Sequence, residues 1–228
     1  YLFGSPVEGG QAKYFVTRQQ TRFTPKGWEE YSFGRQWLFP EEPPSVPSDV
    51  LQTNAELDAN GKTNQTLTVA KDLPYPMIYR VDVQVADVSN LSVANSKTFT
   101  ALPSDRLIGL KTHFVAEAGK DIPIIVIVTD STGKPLPGQR VRLELQQMKY
   151  SSVTQLVEGS RTGKNQVEYK TVGQTEVTST NSPQTVTLRP KESGSYRIRA
   201  NFSDARDEIS ATDLQIWATG ENPVYWGE

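Results

Sequence analysis

An all-β fold, arranged as two tandem immunoglobulin-like β-sandwich domains, is the class this sequence predicts, and three observations predict it. Apolar residues alternate with polar ones at period two rather than 3.6, as in "RVRLEL" (140–145) and "YRIRANF" (196–202). Turn formers are dense, with 16 Gly and 15 Pro in 228 residues. Three short blocks also recur in the same order along the chain, which is the mark of a duplication. The length suits two modules of about 100 residues each, since one sandwich seldom needs so many.

The repeat sets the boundaries. "GSPVEG" at 4–9 and "GKPLPG" at 133–138 share Gly-x-Pro-apolar-x-Gly at an offset of 129. "NQTLTV" at 64–69 faces "PQTVTL" at 183–188 at an offset of 119, and "YRVDVQVAD" at 79–87 faces "YRIRANFSD" at 196–204 at 117. The first copy therefore carries about twelve additional residues, which the proline-rich "LFPEEPPSVPSD" (38–49) supplies as a stiff loop that cannot donate to a ladder. The expected modules are 1–104 and 105–219, joined through "ALPSDR" (101–106), with 220–228 starting a linker to another module. Only three residues precede Gly4, so the first module is expected to lack its N-terminal strand, to expose an apolar sheet edge, and to belong to a longer array.

Within the first copy, "WEEYSFGRQWLF" gathers Trp28, Tyr31, Phe33, Trp37 and Phe39. Their spacing fits two strands around Gly34, packed as core or edge; the alternative is a sugar-stacking or interdomain surface. "DANGKTNQ" (58–65) begins like a calcium loop but lacks the distant bidentate Glu, so a turn at Asn60-Gly61 is expected. In the second copy, "IPIIVIVTD" (122–130) is apolar on both faces, and one face must meet another sheet. "RVRLEL" turns Val141, Leu143 and Leu145 inward. Residues 148–186 are polar and carry Lys149, Arg161, Lys164 and Lys170, yet their β-rich flanks around a Gly-containing turn predict a long hairpin rather than a protease-sensitive loop. Tyr196, Ile198, Ala200 and Phe202 share one face of a late strand, opposite Arg197, Arg199 and Asn201. Tyr196, close behind a turn at Gly194, fits the tyrosine corner of such sandwiches.

Reactive chemistry is scarce. There is no Cys, which excludes disulfides, thiolate metal sites and a thioester within these residues. His113 is the single histidine, expected in a strand beside Phe114, and no nucleophile elbow accompanies it. Asp204, Asp207 and Glu208 could gather a cation but read as solvated turn carboxylates. A net charge of −2 gives no field for nucleic acid, and no apolar run approaches the length that spans a bilayer. The Asn-x-Ser/Thr triplets at Asn64, Asn90 and Asn201 are read as chance. No catalytic residue, cofactor or metal site is expected.

"YLFGSPVEGGQAKYFV", "GLKTHFVAEAGKDIPIIVIVTD", "IVTDSTGKPLPGQRVRLEL" and the tail "IWATGENPVYWGE", in this order, resemble the α2-macroglobulin family in its bacterial form. The resemblance implies tandem macroglobulin domains of fibronectin-III-like topology, by position the third and fourth or their neighbours. It also implies that the parent is an endopeptidase inhibitor which traps proteases after bait cleavage, the bait lying beyond this segment. On that reading the chain is a non-catalytic scaffold. Its partners are neighbouring macroglobulin domains and, through the full-length protein, target proteases; its location is extracytoplasmic. The competing reading is a bacterial surface adhesin or carbohydrate-binding array, for which Trp28 and Trp37 would be the stacking residues.

Overall fold

The structure, a computed structural model, describes residues 9–87, 89, 91–157, 160–205 and 208–220. Among them there is no helix. Thirteen strands follow in chain order: β1 (Gln11–Gln20), β2 (Ser32–Phe33), β3 (Asp49–Glu56), β4 (Met77–Ala86), β5 (Ser92–Ala101), β6 (Leu107–Lys111), β7 (Val115–Glu117), β8 (Ile122–Thr129), β9 (Arg140–Val157), β10 (Ser160–Thr178), β11 (Gln184–Leu188), β12 (Gly194–Phe202) and β13 (Thr212–Thr219). They fall into two compact units, one of Tyr1–Arg22 with Pro44–Pro103, the other of Phe23–Pro43 with Ser104–Glu228.

The first unit holds one antiparallel sheet among the described residues, in the order β3-β1-β4-β5. Period-two patterning decides its buried face: Ala12, Tyr14 and Val16 of β1 and Met77 and Tyr79 of β4 are buried, while Lys13 and Arg80 are exposed. Leu57, Leu73 and Tyr75, all buried, lie outside the strands. Tyr75 donates its hydroxyl to the Pro44 carbonyl at 2.8 Å, tying two non-strand segments together. β5 is an edge strand that leaves Val93 75% exposed and stacks Phe99 on its cross-strand partner Tyr79 at 5.1 Å.

The second unit is a sandwich of a five-stranded sheet, β10-β9-β12-β13-β7, and a four-stranded sheet, β11-β8-β6-β2. Val141, Leu143, Leu145, Tyr196, Ile198, Ala200 and Phe202 from the first meet Ile108, Leu110, Ile124, Val126 and Val128 from the second, and all are buried. Burying each such side chain stabilises by roughly 1.5–3 kcal/mol. The predicted tyrosine corner is present: the Tyr196 hydroxyl donates to the Glu192 carbonyl at 2.7 Å. In the first copy the matching Tyr79 hydroxyl instead accepts from Arg18 at 3.1 Å.

The duplication is visible as topology. β3, β1, β4 and β5 are ordered as β10, β9, β12 and β13 are. Gln11 and Arg140 open matching strands 129 residues apart, Met77 and Gly194 matching strands 117 apart. The block at 64–69 and 183–188 departs from this match. Residues 184–188 form β11 on β8, whereas 64–69 carry no strand, although Leu67 and Val69 alternate half-buried with exposed neighbours. Residues 64–69 pair with no strand among the described residues. Residues 1–8 and 221–228, on which the expectations of a missing opening strand and of a linker fall, lie outside the described residues.

Four expectations are corrected. The segment 28–39 forms only the two-residue β2, since Gly34 takes φ +84° and residues 35–39 follow no strand. Residues 23–43, expected in the first module, cluster with the second unit. His113 is an exposed loop residue, because 112–114 cross from β6 in one sheet to β7 in the other. The hairpin expected over 148–186 instead spans β9 and β10, 140–178, with its turn at 158–159 outside the described residues.

Candidate functional site

The feature that distinguishes the second unit is a strap, residues 23–43, laid across both of its sheets. Its anchoring begins at a turn. Asp130 accepts backbone N–H bonds from Thr132 and Lys134 at 2.8 and 3.1 Å, which bends "DSTGK" back on itself with Gly133 at φ +90°. "DANGK" at 58–62 makes the same turn through Asp58, which accepts from Asn60 and Lys62. Both are Asx-type turns, which accounts for their carboxylates without a metal ion. The Gly133 carbonyl accepts the Trp28 indole N–H at 2.8 Å, and Trp28 meets Tyr31 edge-on at 5.3 Å.

β2 then extends the four-stranded sheet by pairing Ser32 and Phe33 with Leu110 and Gly109 of β6. The Phe33 ring uses the space that a side chain at 109 would fill: a Cβ there would lie 2.6 Å from Phe33 Cζ and 2.8 Å from Ile127 Cγ2. Strand β8 is apolar on both faces, and Phe33 crowds the same glycine as its outward Ile127. Gly34 bonds both ways with β13, donating to Thr212 Oγ1 at 3.0 Å and accepting from the Asp213 N–H at 3.2 Å. Thr212 donates its hydroxyl to the Ile108 carbonyl, so one side chain joins strap, β13 and β6.

Beyond Gly34 the strap covers a polar face that would otherwise meet water. Arg197 and Arg199 of β12 point away from the core and are still only 5% and 7% exposed. Asp213, fully buried, accepts from Arg199 Nε at 2.8 Å and Nη2 at 3.1 Å, and from the Gln36 N–H at 3.1 Å. Glu208 takes the other Arg199 nitrogen and lies 3.6 Å from Arg35. Arg197 donates to Gln146 at 2.8 Å and stacks on the Tyr169 ring at 3.3 Å, while Tyr169 donates to Glu41 of the strap at 2.8 Å. Three arginines thus meet three carboxylates in one network.

The titrations follow this geometry. Burial disfavours the Arg199 charge, but the hydrogen bond and charge of Asp213, with Glu208 behind, outweigh it and raise its pKa. Arg197 is lowered, by burial first and by repulsion from Arg199 second. Burial and the bond to Glu41 push the Tyr169 phenol well up. Burial would also raise Glu208, yet the charge and hydrogen bond of Arg199 prevail and hold it below the ordinary 4.5. A lowered carboxylate contributes stability that is present above its unfolded pKa and lost as pH falls through the folded value. Glu208→Gln is therefore expected to destabilise the second unit at pH 7, with the difference shrinking as pH falls below the ordinary carboxylate range, read by urea unfolding along that series.

The residues singled out in the sequence divide accordingly. Trp28, Tyr31 and Phe33 are packing anchors of the strap, whereas Trp37 and Phe39 lie further along it, with Arg35 5.0 Å over the Trp37 ring and Phe39 73% exposed. Asp204 holds Arg106 through two bonds of 3.1 Å, and Glu208 belongs to the arginine network, so the two do not converge; Asp207 lies outside the described residues. Among the described residues no group of His, Cys, Asp and Glu could hold a metal ion, and no helix is long and apolar enough to cross a membrane. Sequence reading missed the network because Arg197 and Arg199 alternate as solvent-facing residues do. The paired signal, an acid at Asp213 directly across from Arg199, appears only once the register is known.

Repeated sheet order, a two-sheet sandwich and a polar face closed by a strap define the class as an all-β protein of two compact units, the second a sandwich. No protein-family model matches the chain. Over 227 residues, all of this chain, it is 72% identical to an alpha-2-macroglobulin homolog of Nostoc sp., of whose length it spans 12%. Its fold is shared with Escherichia coli alpha-2-macroglobulin in the native conformation, at TM-score 0.65 and 14% identity over 96% of this chain and 14% of that one. It is shared too with Salmonella alpha-2-macroglobulin reacted with methylamine, at 0.64 and 13% over 96% of this chain and 15% of that one. The chain belongs to the alpha-2-macroglobulin family, in its bacterial form.

Proposed function

We propose that the chain is a non-catalytic scaffold segment of an alpha-2-macroglobulin-like protease inhibitor, composed of two macroglobulin modules that the repeat divides near residue 104, with residues 23–43 contributed to the second. The observation that carries this reading is the 72% identity to the Nostoc homolog along the whole chain. Two E. coli relatives of the same fold are described as activated by trypsin and by porcine elastase, which supports proteases as the targets of the parent protein. The scaffold role rests on the chemistry of the second unit. Its buried charges are spent on one another, and its one histidine is exposed on a loop remote in kind from any nucleophile–base pair. A sandwich whose polar face is locked by a strap is suited to moving as a rigid body after bait cleavage rather than to reacting. Neighbouring macroglobulin domains are its immediate partners, and its place is extracytoplasmic.

The test compares residues 1–228 with the full-length parent, each incubated with trypsin. The isolated segment is expected to leave hydrolysis of casein and of a small chromogenic peptide unchanged. The parent is expected to protect casein while sparing the small peptide, since a trapped protease still admits small substrates. Stoichiometric inhibition by residues 1–228 alone, or a parent that protects neither substrate, would overturn the reading.

A further inference from the structure

Between Arg35 and Glu42 the strap also faces the β9–β10 hairpin across an open groove of about 820 Å³, bordered by Arg35, Trp37, Phe39, Glu41 and Glu42 on one side and residues 164–167 on the other. A smaller hollow of about 320 Å³ continues it between Phe39, Tyr150, Ser152 and Asn165. The volume falls in the range of small-ligand sites. The hairpin register makes the floor: Tyr150 opposes Val167 and Ser152 opposes Asn165, which places these four side chains on one face.

Two properties of this surface point to a ligand. Phe39 is 73% and Tyr150 52% exposed, so two aromatic rings stand in water beside one another's hollow rather than in the core. The polar groups around them are also uncommitted. Ser152 donates its hydroxyl to Asn165 Oδ1 at 2.9 Å, which orients the amide and leaves the Asn165 NH2 without a partner among the described residues. The Tyr150 hydroxyl and the Glu42 carboxylate are likewise without a hydrogen bond or ion pair among them. Elsewhere on this face the polar side chains are paired, as Arg197, Gln146 and Tyr169 show.

We propose that this groove binds a short neutral oligosaccharide. An exposed aromatic ring matches the C–H face of a pyranose, and a fixed amide NH2 with neighbouring hydroxyls matches the hydroxyl rim of the same ring. A neutral ligand fits because the charged residues at the border, Arg35 and Lys164 against Glu41 and Glu42, balance in sign. An extended polypeptide is disfavoured because the uncommitted groups belong to side chains on the sheet face rather than to the backbone of a strand edge. The inference does not rest on the scaffold reading: its recognition groups, Phe39, Tyr150, Ser152 and Asn165, lie outside the buried network, of which only Arg35 and Glu41 border the groove.

The test is an NMR titration of 15N-labelled residues 1–228 with chitohexaose, cellohexaose and maltohexaose in parallel, and with an acetylated Thr-Val-Thr-Val-Thr peptide as the competing class. At least one saccharide is expected to give saturable shifts confined to Phe39, Tyr150, Ser152 and Asn165. Phe39→Ala with Tyr150→Ala is expected to weaken binding at least tenfold, and Asn165→Ala about fivefold. The thermal midpoint should be unchanged because both rings are exposed in the native fold. Absence of saturable binding by all three saccharides, equal binding by the double variant, or saturation at these residues by the peptide alone would each overturn the proposal.

Discussion

Asp213→Ala is expected to destabilise the second unit by about 3–5 kcal/mol, the range for removing one partner of a buried ion pair. Three donors lose their acceptor at once: two nitrogens of Arg199 and the Gln36 N–H of the strap. The guanidinium that remains is only 7% exposed and cannot reach water without lifting residues 34–36. Glu208 still neutralises part of its charge, which keeps the effect within this range rather than above it. Urea unfolding followed by tryptophan emission is a suitable measure, because Trp28, Trp37 and Trp217 all belong to the second unit. Asp213→Asn, which keeps an acceptor and a similar shape, should lose less. A joint Arg199→Met, Asp213→Leu variant should recover much of the loss, since well-packed apolar residues often match a buried pair. A loss under 1 kcal/mol for Asp213→Ala would mean that the network is not what holds the strap.

Gly133→Ala tests the other end of the strap and is expected to cost about 3 kcal/mol, from a strained backbone and an overpacked contact together. The residue sits at φ +90°, and an added Cβ would lie 2.3 Å from the Lys26 carbonyl oxygen. That neighbour is backbone and cannot rotate aside, so the strap must shift and weaken the Trp28 bond to the Gly133 carbonyl. Red-shifted tryptophan emission and faster trypsin cleavage after Lys26 should accompany the loss. Gly138→Ala is the control: it also has positive φ, +78°, but open space around its Cβ, so only the left-handed penalty of about 1–2 kcal/mol applies. Equal losses at the two positions would remove the clash from the explanation.

Much of the fold was legible wherever a side chain's alternation reports its own burial. Val141, Leu143 and Leu145 read inward and are buried, and Tyr196 read as a corner tyrosine bonds the backbone four residues upstream. The duplication was legible for the same reason, since repeated turns and strands leave repeated words. What was not legible depends on pairings between distant segments. Two residues, Ser32 and Phe33, are too few to show a period, and their partners lie on β6, more than seventy positions further along. Arg197 and Arg199 have the spacing of a solvent face, and nothing local announces that residues 34–41 will cover them. The aromatic segment from Trp28 to Phe39 could be read as packing or as a binding surface, and the structure divides it near Gly34. One half is tied down by Gly133 and Gly109; the other stands open beside Tyr150.

Because Phe23–Pro43 departs from one unit to complete the other and then returns, neither body corresponds to an uninterrupted stretch of gene. A copy of residues 105–228 moved into another protein by recombination would arrive with Arg197, Arg199 and Asp213 bare and the β6 margin unoccupied. An excision that keeps this network covered must therefore take residues 23–43 along with 105–228.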